Sequence, residues 1–170
     1  MSAEPPQLPS PPAGYAWEWS AEMNAGFLKP EGWHVLKETK NQTQALFITQ
    51  EQIQREGQDK GFQTGLSVNR IPGAGQKCGG LASQFAATFV HDATKVKQNV
   101  LTLIAPQELA PSINMRGYRV QQDGAIIHTV LVCNDRVDLT YLVIFESSLD
   151  KWDAAWRIGE PIIRKMMILF

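Results

Sequence analysis

From Tyr15 onward the chain alternates between apolar and polar positions in short runs broken by turn residues. Tyr15, Trp17 and Trp19 alternate with Ala16 and Glu18, which predicts a strand with one aromatic face. Gly26-Phe27-Leu28-Lys29-Pro30-Glu31-Gly32-Trp33 reads as strand, tight turn, strand, with Pro30 suited to a turn corner and Gly32 to positive φ. Residues 33–39 and 45–49 continue as strands across a polar link at Asn41, Gln42, Thr43 and Gln44. Residues 50–61 are hydrophilic and predict a loop or a short surface helix, and residues 65–71 alternate again up to Pro72. A glycine-rich link, Gly73-Ala74-Gly75-Gln76-Lys77-Cys78-Gly79-Gly80, then leads into a helix over residues 81–91, with Leu81, Phe85, Thr88 and Phe89 on one face.

The second half repeats the theme. Residues 100–105 predict a strand or a short buried element, and residues 115–121 a strand. Gln122-Asp123-Gly124 is a hairpin signal, followed by strands over 125–133 and 136–146. In the last of these, Val137, Leu139, Tyr141, Val143 and Phe145 share one face, while Leu142 and Ile144 make the other apolar too. A strand apolar on both faces is central and covered on both sides. Ser147 with Asp150 has capping-box spacing. Trp152, Ala155, Trp156, Gly159, Ile162, Ile163 and Met166 then fall at helical spacing, and Pro161 inside that pattern predicts a kink or break near residues 157–160. The apolar end, residues 166–170, must be buried against this chain or another. Tight turns between strands and helices after strand groups predict an α+β fold: a mostly antiparallel sheet flanked by helices on both faces.

The N-terminus departs from this pattern. Pro5, Pro6, Pro9, Pro11 and Pro12 lie within residues 1–14, which predicts a flexible or polyproline II leader before a single domain over 15–170. Such a leader is either a tether or a ligand for an aromatic groove on a partner. Residues 1–12 carry neither a basic nor an apolar signal-peptide region, so the chain as given reads as cytoplasmic, and as exported if a leader was removed. With 16 basic and 17 acidic residues the net charge is -1, which argues against a protein that works by gripping nucleic acid or an anionic membrane. No apolar run approaches the roughly 20 residues that span a bilayer.

The segment Leu28-Lys29-Pro30-Glu31-Gly32-Trp33 resembles the Pro-x-Gly-Trp entry of PsbP-like and DcrB-like proteins. So does the run Tyr141-Leu142-Val143-Ile144-Phe145, followed by a helix opening near Trp152 and ending in Ile162-Ile163. The resemblance spans residues 20–168 by order of elements; the Pro-rich leader, the glycine-rich link and the lack of a signal or lipobox depart from it. It implies an α/β/α sandwich. It also implies a non-catalytic role such as a photosystem II extrinsic subunit, a bacterial lipoprotein, a Ran-binding import factor or a secretion adaptor. It supplies no catalytic residues to carry over.

Direct chemical signals are few. His34, His91 and His128 are far apart and neither cysteine sits in a Cys-x-x-Cys, so no metal or other cofactor is expected. Glycines before a helix suggest a phosphate loop, but Gln76-Lys77-Cys78 is not Gly-Lys-Ser, and Cys78 stands where a dinucleotide fingerprint needs its third glycine. What remains is a candidate anion site at Lys77, Cys78, Gly79 and Gly80. No Gly-x-Ser-x-Gly occurs; Cys78 is the candidate nucleophile and His128 the base that can be named for it. Arg116 and Arg119 beside Tyr118, and Arg164 with Lys165, are too few to hold a nucleic acid.

Five tryptophans are many for 170 residues. Trp17, Trp19 and Trp33 are therefore candidate partner-binding residues, since tryptophan serves interfaces as well as cores. The leading expectation is a non-catalytic binding, adaptor or chaperone-type module for a protein segment or hydrophobic ligand, acting through the sheet face and an edge near these aromatics. The alternatives are a small-molecule or anion-binding protein, enzymatic or not, at the Gly73 to Gly80 loop, and a structural lipoprotein-like subunit. A protein partner is expected, nucleic acid and a membrane span are not, and a homodimer stays open.

Overall fold

The computed structural model describes residues 6–53 and 61–170, so most of the 50–61 connection lies outside it, as do residues 1–5 of the leader. Its strands are β1 (Tyr15–Ser20), β2 (Ala25–Pro30), β3 (His34–Lys40), β4 (Thr43–Thr49), β5 (Gly65–Pro72), β6 (Val100–Ala110), β7 (Ile113–Gln122), β8 (Ala125–Asn134), β9 (Leu139–Ser148) and β10 (Met167–Ile168). The helices are α1 (Ala74–Lys77), α2 (Ala82–Ala93) and α3 (Trp152–Arg164). A seven-stranded sheet runs in the order β3-β4-β5-β9-β8-β7-β6, and a three-stranded sheet in the order β1-β2-β10. Every pairing is antiparallel.

Turn chemistry sets the hairpins. Asn41 and Gln42 (φ 50° and 68°) join β3 to β4, and Asp123 and Gly124 (φ 51° and 77°) join β7 to β8. Two successive positive φ values match the right-handed twist of the flanking strands. Pro30 is the last residue of β2 rather than a corner: its carbonyl accepts the Trp33 amide at 3.2 Å, and Gly32 supplies the positive φ of 78°.

β9 lies between β5 and β8 and is covered twice, as its two apolar faces require. Leu139, Tyr141, Val143 and Phe145 face α3 and the small sheet, in a core with Phe27, Leu28, Leu46, Ile48, Trp152 and Ile162. Leu142, with Leu131 and Cys133 of β8, faces Ala82 and Ala86 of α2. Tyr141 is fully buried, and its hydroxyl donates to the Met23 carbonyl in the β1–β2 turn. The tail closes on its own chain. β10 pairs with β2, Leu169 and Asn24 exchange bonds at 3.0 and 2.9 Å, and the Phe170 ring meets Tyr141 edge-on at 5.6 Å.

Five expectations need correction. Leu81 is the N-cap of α2 and half-exposed, and Thr88 is exposed, because the buried stripe is Ala82 and Ala86 flanked by Phe85, Phe89 and Val90. β6 is longer than residues 100–105 and lies on the sheet edge, mostly exposed. β9 starts at Leu139; Val137 belongs to the preceding turn and is exposed. Ser147 does not cap the last helix, since its hydroxyl bonds Thr64 Oγ1 at 3.0 Å; a 3-10 turn over Leu149–Lys151 precedes α3. Nor does Pro161 break α3, which runs on to Arg164.

Gly159 sets the spacing between α3 and β9. A Cβ there would lie 2.5 Å from two ring carbons of Phe145, whose ring is fully buried beside Trp152 and Trp156. Alanine normally stabilises a helix interior by about 1 kcal/mol over glycine. Here the ring has nowhere to retreat, and overpacking of this kind costs about 1–3 kcal/mol. Gly159→Ala is expected to lower unfolding free energy in urea titration rather than raise it.

Candidate functional site

The predicted aromatic residues separate on folding. Trp33 is core, packed with the β9 face that meets α3. Trp17 and Trp19 stay half-buried on β1. They lie over Gly26 of β2, where a Cβ would sit 3.0 Å from Trp19 Cε3 and 3.6 Å from Trp17 Cε3. Tyr15, on the same face, donates its hydroxyl to the Ile158 carbonyl of α3 at 3.0 Å, which ties the small sheet to that helix.

The glycine-rich link is folded around two carboxylates from elsewhere. Asp138, in the β8–β9 turn, accepts the Gly75 and Gln76 amides at 2.7 and 3.0 Å. Asp135, in the same turn, accepts the Ser83 amide and hydroxyl at 2.7 and 2.8 Å at the start of α2. The amides of Lys77, Cys78, Gly79 and Gly80 bond carbonyls of Gly73, Gly75 and Gln76. Lys77, Cys78, Gly79 and Gly80 therefore offer an external anion a lysine but no open amide nest, because the chain brings its own anions to both helix starts. Lys77 instead lines a shallow polar depression with Asn41, Gln42 and Gln76.

Cys78 is exposed and unpaired, Cys133 buried and unpaired. Burial pushes the Cys133 thiol up to about 11, which keeps it protonated. The Cys78–His128 pairing is geometrically excluded. Cys78 lies on the α2 side of the sheet, in the link leading to that helix, while the His128 ring packs on Trp156 of α3 at 4.6 Å, tilted by 53°.

His128 belongs to a cluster that spacing along the chain does not reveal. Arg119 and His128 are cross-strand partners on β7 and β8. The Arg119 guanidinium lies 5.0 Å from the Trp152 ring and 4.4 Å from the Trp156 ring, and its Nε donates to His128 Nδ1 at 3.3 Å. Trp152 and Trp156 stack at 5.3 Å, one turn apart on α3. An Nδ1 that accepts a bond needs a neutral imidazole with its proton on Nε2. Burial first, and the Arg119 charge second, push the His128 pKa down to about 4. Cation–π contact offsets part of the cost of desolvating Arg119, and Glu160 of α3 adds a favourable charge. The cluster fastens β7 and β8 to α3.

The outer edge of the large sheet differs from this closed interior. Among the described residues β6 pairs only with β7. Leu101, Leu103 and Leu109 are 48%, 63% and 52% exposed. The register fixes their setting: Leu103 lies opposite Tyr118, on the α2 side, and Ile104 opposite Gly117, on the α3 side. Beside Leu103, a groove of about 530 Å³ is lined by His91, Thr94, Lys95, Lys97 and Val100. The opposite edge, β3, carries Lys37, Glu38 and Lys40 among seven residues, whereas β6 has Glu108 as its one charge among eleven. The sequence pattern leaves the start of β6 open as a strand or a short buried element; its edge position is set by pairing order, which periodicity does not encode.

Among the described residues no three metal-binding side chains cluster, and no helix is long and apolar enough to cross a membrane.

No family model and no curated protein matches the chain. Solved structures do. Cyanobacterial PsbP (CyanoP) from Synechocystis sp. PCC 6803 is similar with a TM-score of 0.54 over 92% of this chain and 94% of that one, at 13% identity. The Ran-binding protein Mog1p of Saccharomyces cerevisiae is similar with a TM-score of 0.50 over 91% of this chain and 95% of that one, at 10% identity. The chain has the PsbP-like fold expected from its two resembling segments.

Two measurements test the geometry. Asp135→Ala removes the carboxylate at the start of α2 and is expected to lower stability by about 1 kcal/mol in urea, with the sheet intact by circular dichroism. His128 is depressed from an unfolded value of about 6.5 to about 4. Between those values the unfolded chain holds a proton that the folded chain does not, so stability falls as pH drops from about 6.5 towards 4 and levels off below. That linkage is at most about 3 kcal/mol. Urea titrations at pH 7 and 4.5 should show a smaller difference for His128→Gln than for the natural chain.

Proposed function

We propose that the protein is a non-catalytic docking module that accepts an extended polypeptide segment as an added strand on the outer edge of β6. The carrying observation is the contrast between the two edges of the large sheet. Edge strands expose unpaired amides and carbonyls, and chains that only need solubility blunt them with charge. β3 is blunted in this way; β6 offers Leu101, Leu103 and Leu109 instead. The β-bulges between Val100 and Thr102, between Ile104 and Gln107 and between Glu108 and Ala110 confine regular pairing to short stretches, which favours a short segment over an unlimited stack.

The groove beside Leu103 indicates the chemistry of that segment. Lys97 and His91 rim it, while Lys95 is already paired with Asp92 at 2.6 Å, so an apolar strand with an acidic flank beside Lys97 is the complementary occupant. Mog1p is a Ran-binding protein, and its likeness supports, by fold analogy, the class of protein-binding module and nothing finer. A small-molecule or anion reading at the Gly73 to Gly80 loop is less favoured, because its amides already hold internal partners.

Selection of extended peptides from a displayed library tests this reading. Enriched peptides should alternate apolar residues and carry an acidic end. Leu101→Lys with Leu103→Lys should weaken their binding at least about tenfold while leaving the melting temperature within a degree or two, since both side chains are exposed. Peptide affinity unchanged by that double substitution would sink the β6 site.

A further inference from the structure

The Pro-rich leader makes a contact that the fold does not require. Residues 6–12 turn back towards β1 through Ala13 and Gly14, where Gly14 has φ 83° and the Pro12 carbonyl accepts the Tyr15 amide at 3.1 Å. Further back along the leader, the Pro9 carbonyl accepts the Trp17 indole N–H at 2.7 Å. Pro12 therefore meets Tyr15 and Pro9 meets Trp17, so the leader runs antiparallel to β1. Trp19 comes next along β1, and its Nε1 is buried without a partner. A Gly26 with no side chain lets both indoles lie over β2.

These are the parts of a polyproline receptor. A polyproline II chain makes no internal hydrogen bonds, so its carbonyls are available to donors, and its rings pack on flat aromatic surfaces. An indole supplies both the surface and the N–H. Proline loses little conformational freedom on docking, which is why a short segment is held at all. Pro9-Ser10-Pro11-Pro12 has the P-x-x-P spacing of such ligands. The leader, read from sequence as either a tether or a ligand for an aromatic groove on a partner, contacts an indole of its own chain.

We propose that Trp17 and Trp19 over Gly26 form a polyproline-binding groove that the leader fills in cis, and that a proline-rich segment of another protein displaces it. The tethered leader is a competitor at an effective concentration on the order of millimolar. Only a segment that is locally abundant, or that also engages the buried Trp19 Nε1, takes its place. The site is separate from the β6 edge, so either reading stands without the other.

The test uses the full chain and, as probe, a fluorescent synthetic peptide of residues 1–13. Pro9→Gly with Pro11→Gly weakens the cis ligand and leaves the groove untouched. This variant should bind the peptide at least about tenfold more tightly than the natural chain. Adding Trp17→Phe, which keeps a ring but removes the donor, should cost about tenfold of that affinity. Equal and undetectable binding to both chains would overturn the proposal. So would a concentration-dependent dimer of the natural chain that disappears in the leader variant, since that assigns the groove to exchange between copies. If the variant does not fold, indole N–H resonances of the natural chain titrated with millimolar peptide decide. Shifts at Trp17 and Trp19 support displacement, and none at millimolar peptide overturns it.

Discussion

β9 has no wet face, and most of the structure follows from that. A strand buried on both sides needs two covers. On one side α2 packs through Ala82 and Ala86, small residues that let the helix lie close to Leu131 and Leu142. On the other side α3 covers Phe145, and the small sheet extends that cover across Leu46, Ile48 and Tyr141. Gly159 permits the close approach of α3, and the Tyr141 hydroxyl on the Met23 carbonyl joins the small sheet to the same strand. The C-terminal β10 completes the small sheet, so the apolar tail is cover rather than a loose end.

What was legible in the sequence was local. Alternation and turn residues carried the strands, and the double apolarity of residues 141–145 carried the centre of the sheet. Both signals depend on neighbours a few residues apart. The features that escaped depend on distant partners. Asp135 and Asp138 look like ordinary turn residues, yet they serve helix starts 52 and 62–63 residues away in sequence. Ser147 has capping-box spacing but is claimed by Thr64, 83 residues away. Arg119 and His128 meet through strand register, and Trp152 and Trp156 reach them only when α3 docks. Leu81 fits a helical stripe by spacing and misses the core because the helix rolls onto its alanines.

Three of the four strand edges are managed by different physics. β3 uses charge, and Lys37 also bonds Glu18 at 2.6 Å and the Trp19 carbonyl at 3.2 Å, which links the two sheets. β1 has the leader folded back along it, whose prolines lack the amides that would extend a sheet. β6 has bulges and a single proline, Pro106, but an apolar surface. Protection by bulges limits how far a partner can pair without forbidding pairing, whereas protection by charge forbids it. The distinction separates an edge built to stay alone from one that tolerates a neighbour.

Near-zero net charge carries a further consequence once the charges are located. Asp135 and Asp138 are committed to helix starts, and Arg119 to two indoles and a histidine. Glu18 and Lys37 hold sheet to sheet. Charges used in this way stabilise the fold and are withdrawn from recognition, because a group with its partner in place has little to gain from a second one. What these committed charges leave uncovered is backbone at the edges of the large sheet and the exposed leucines of β6. The placement of the charges, rather than their number, is the reason.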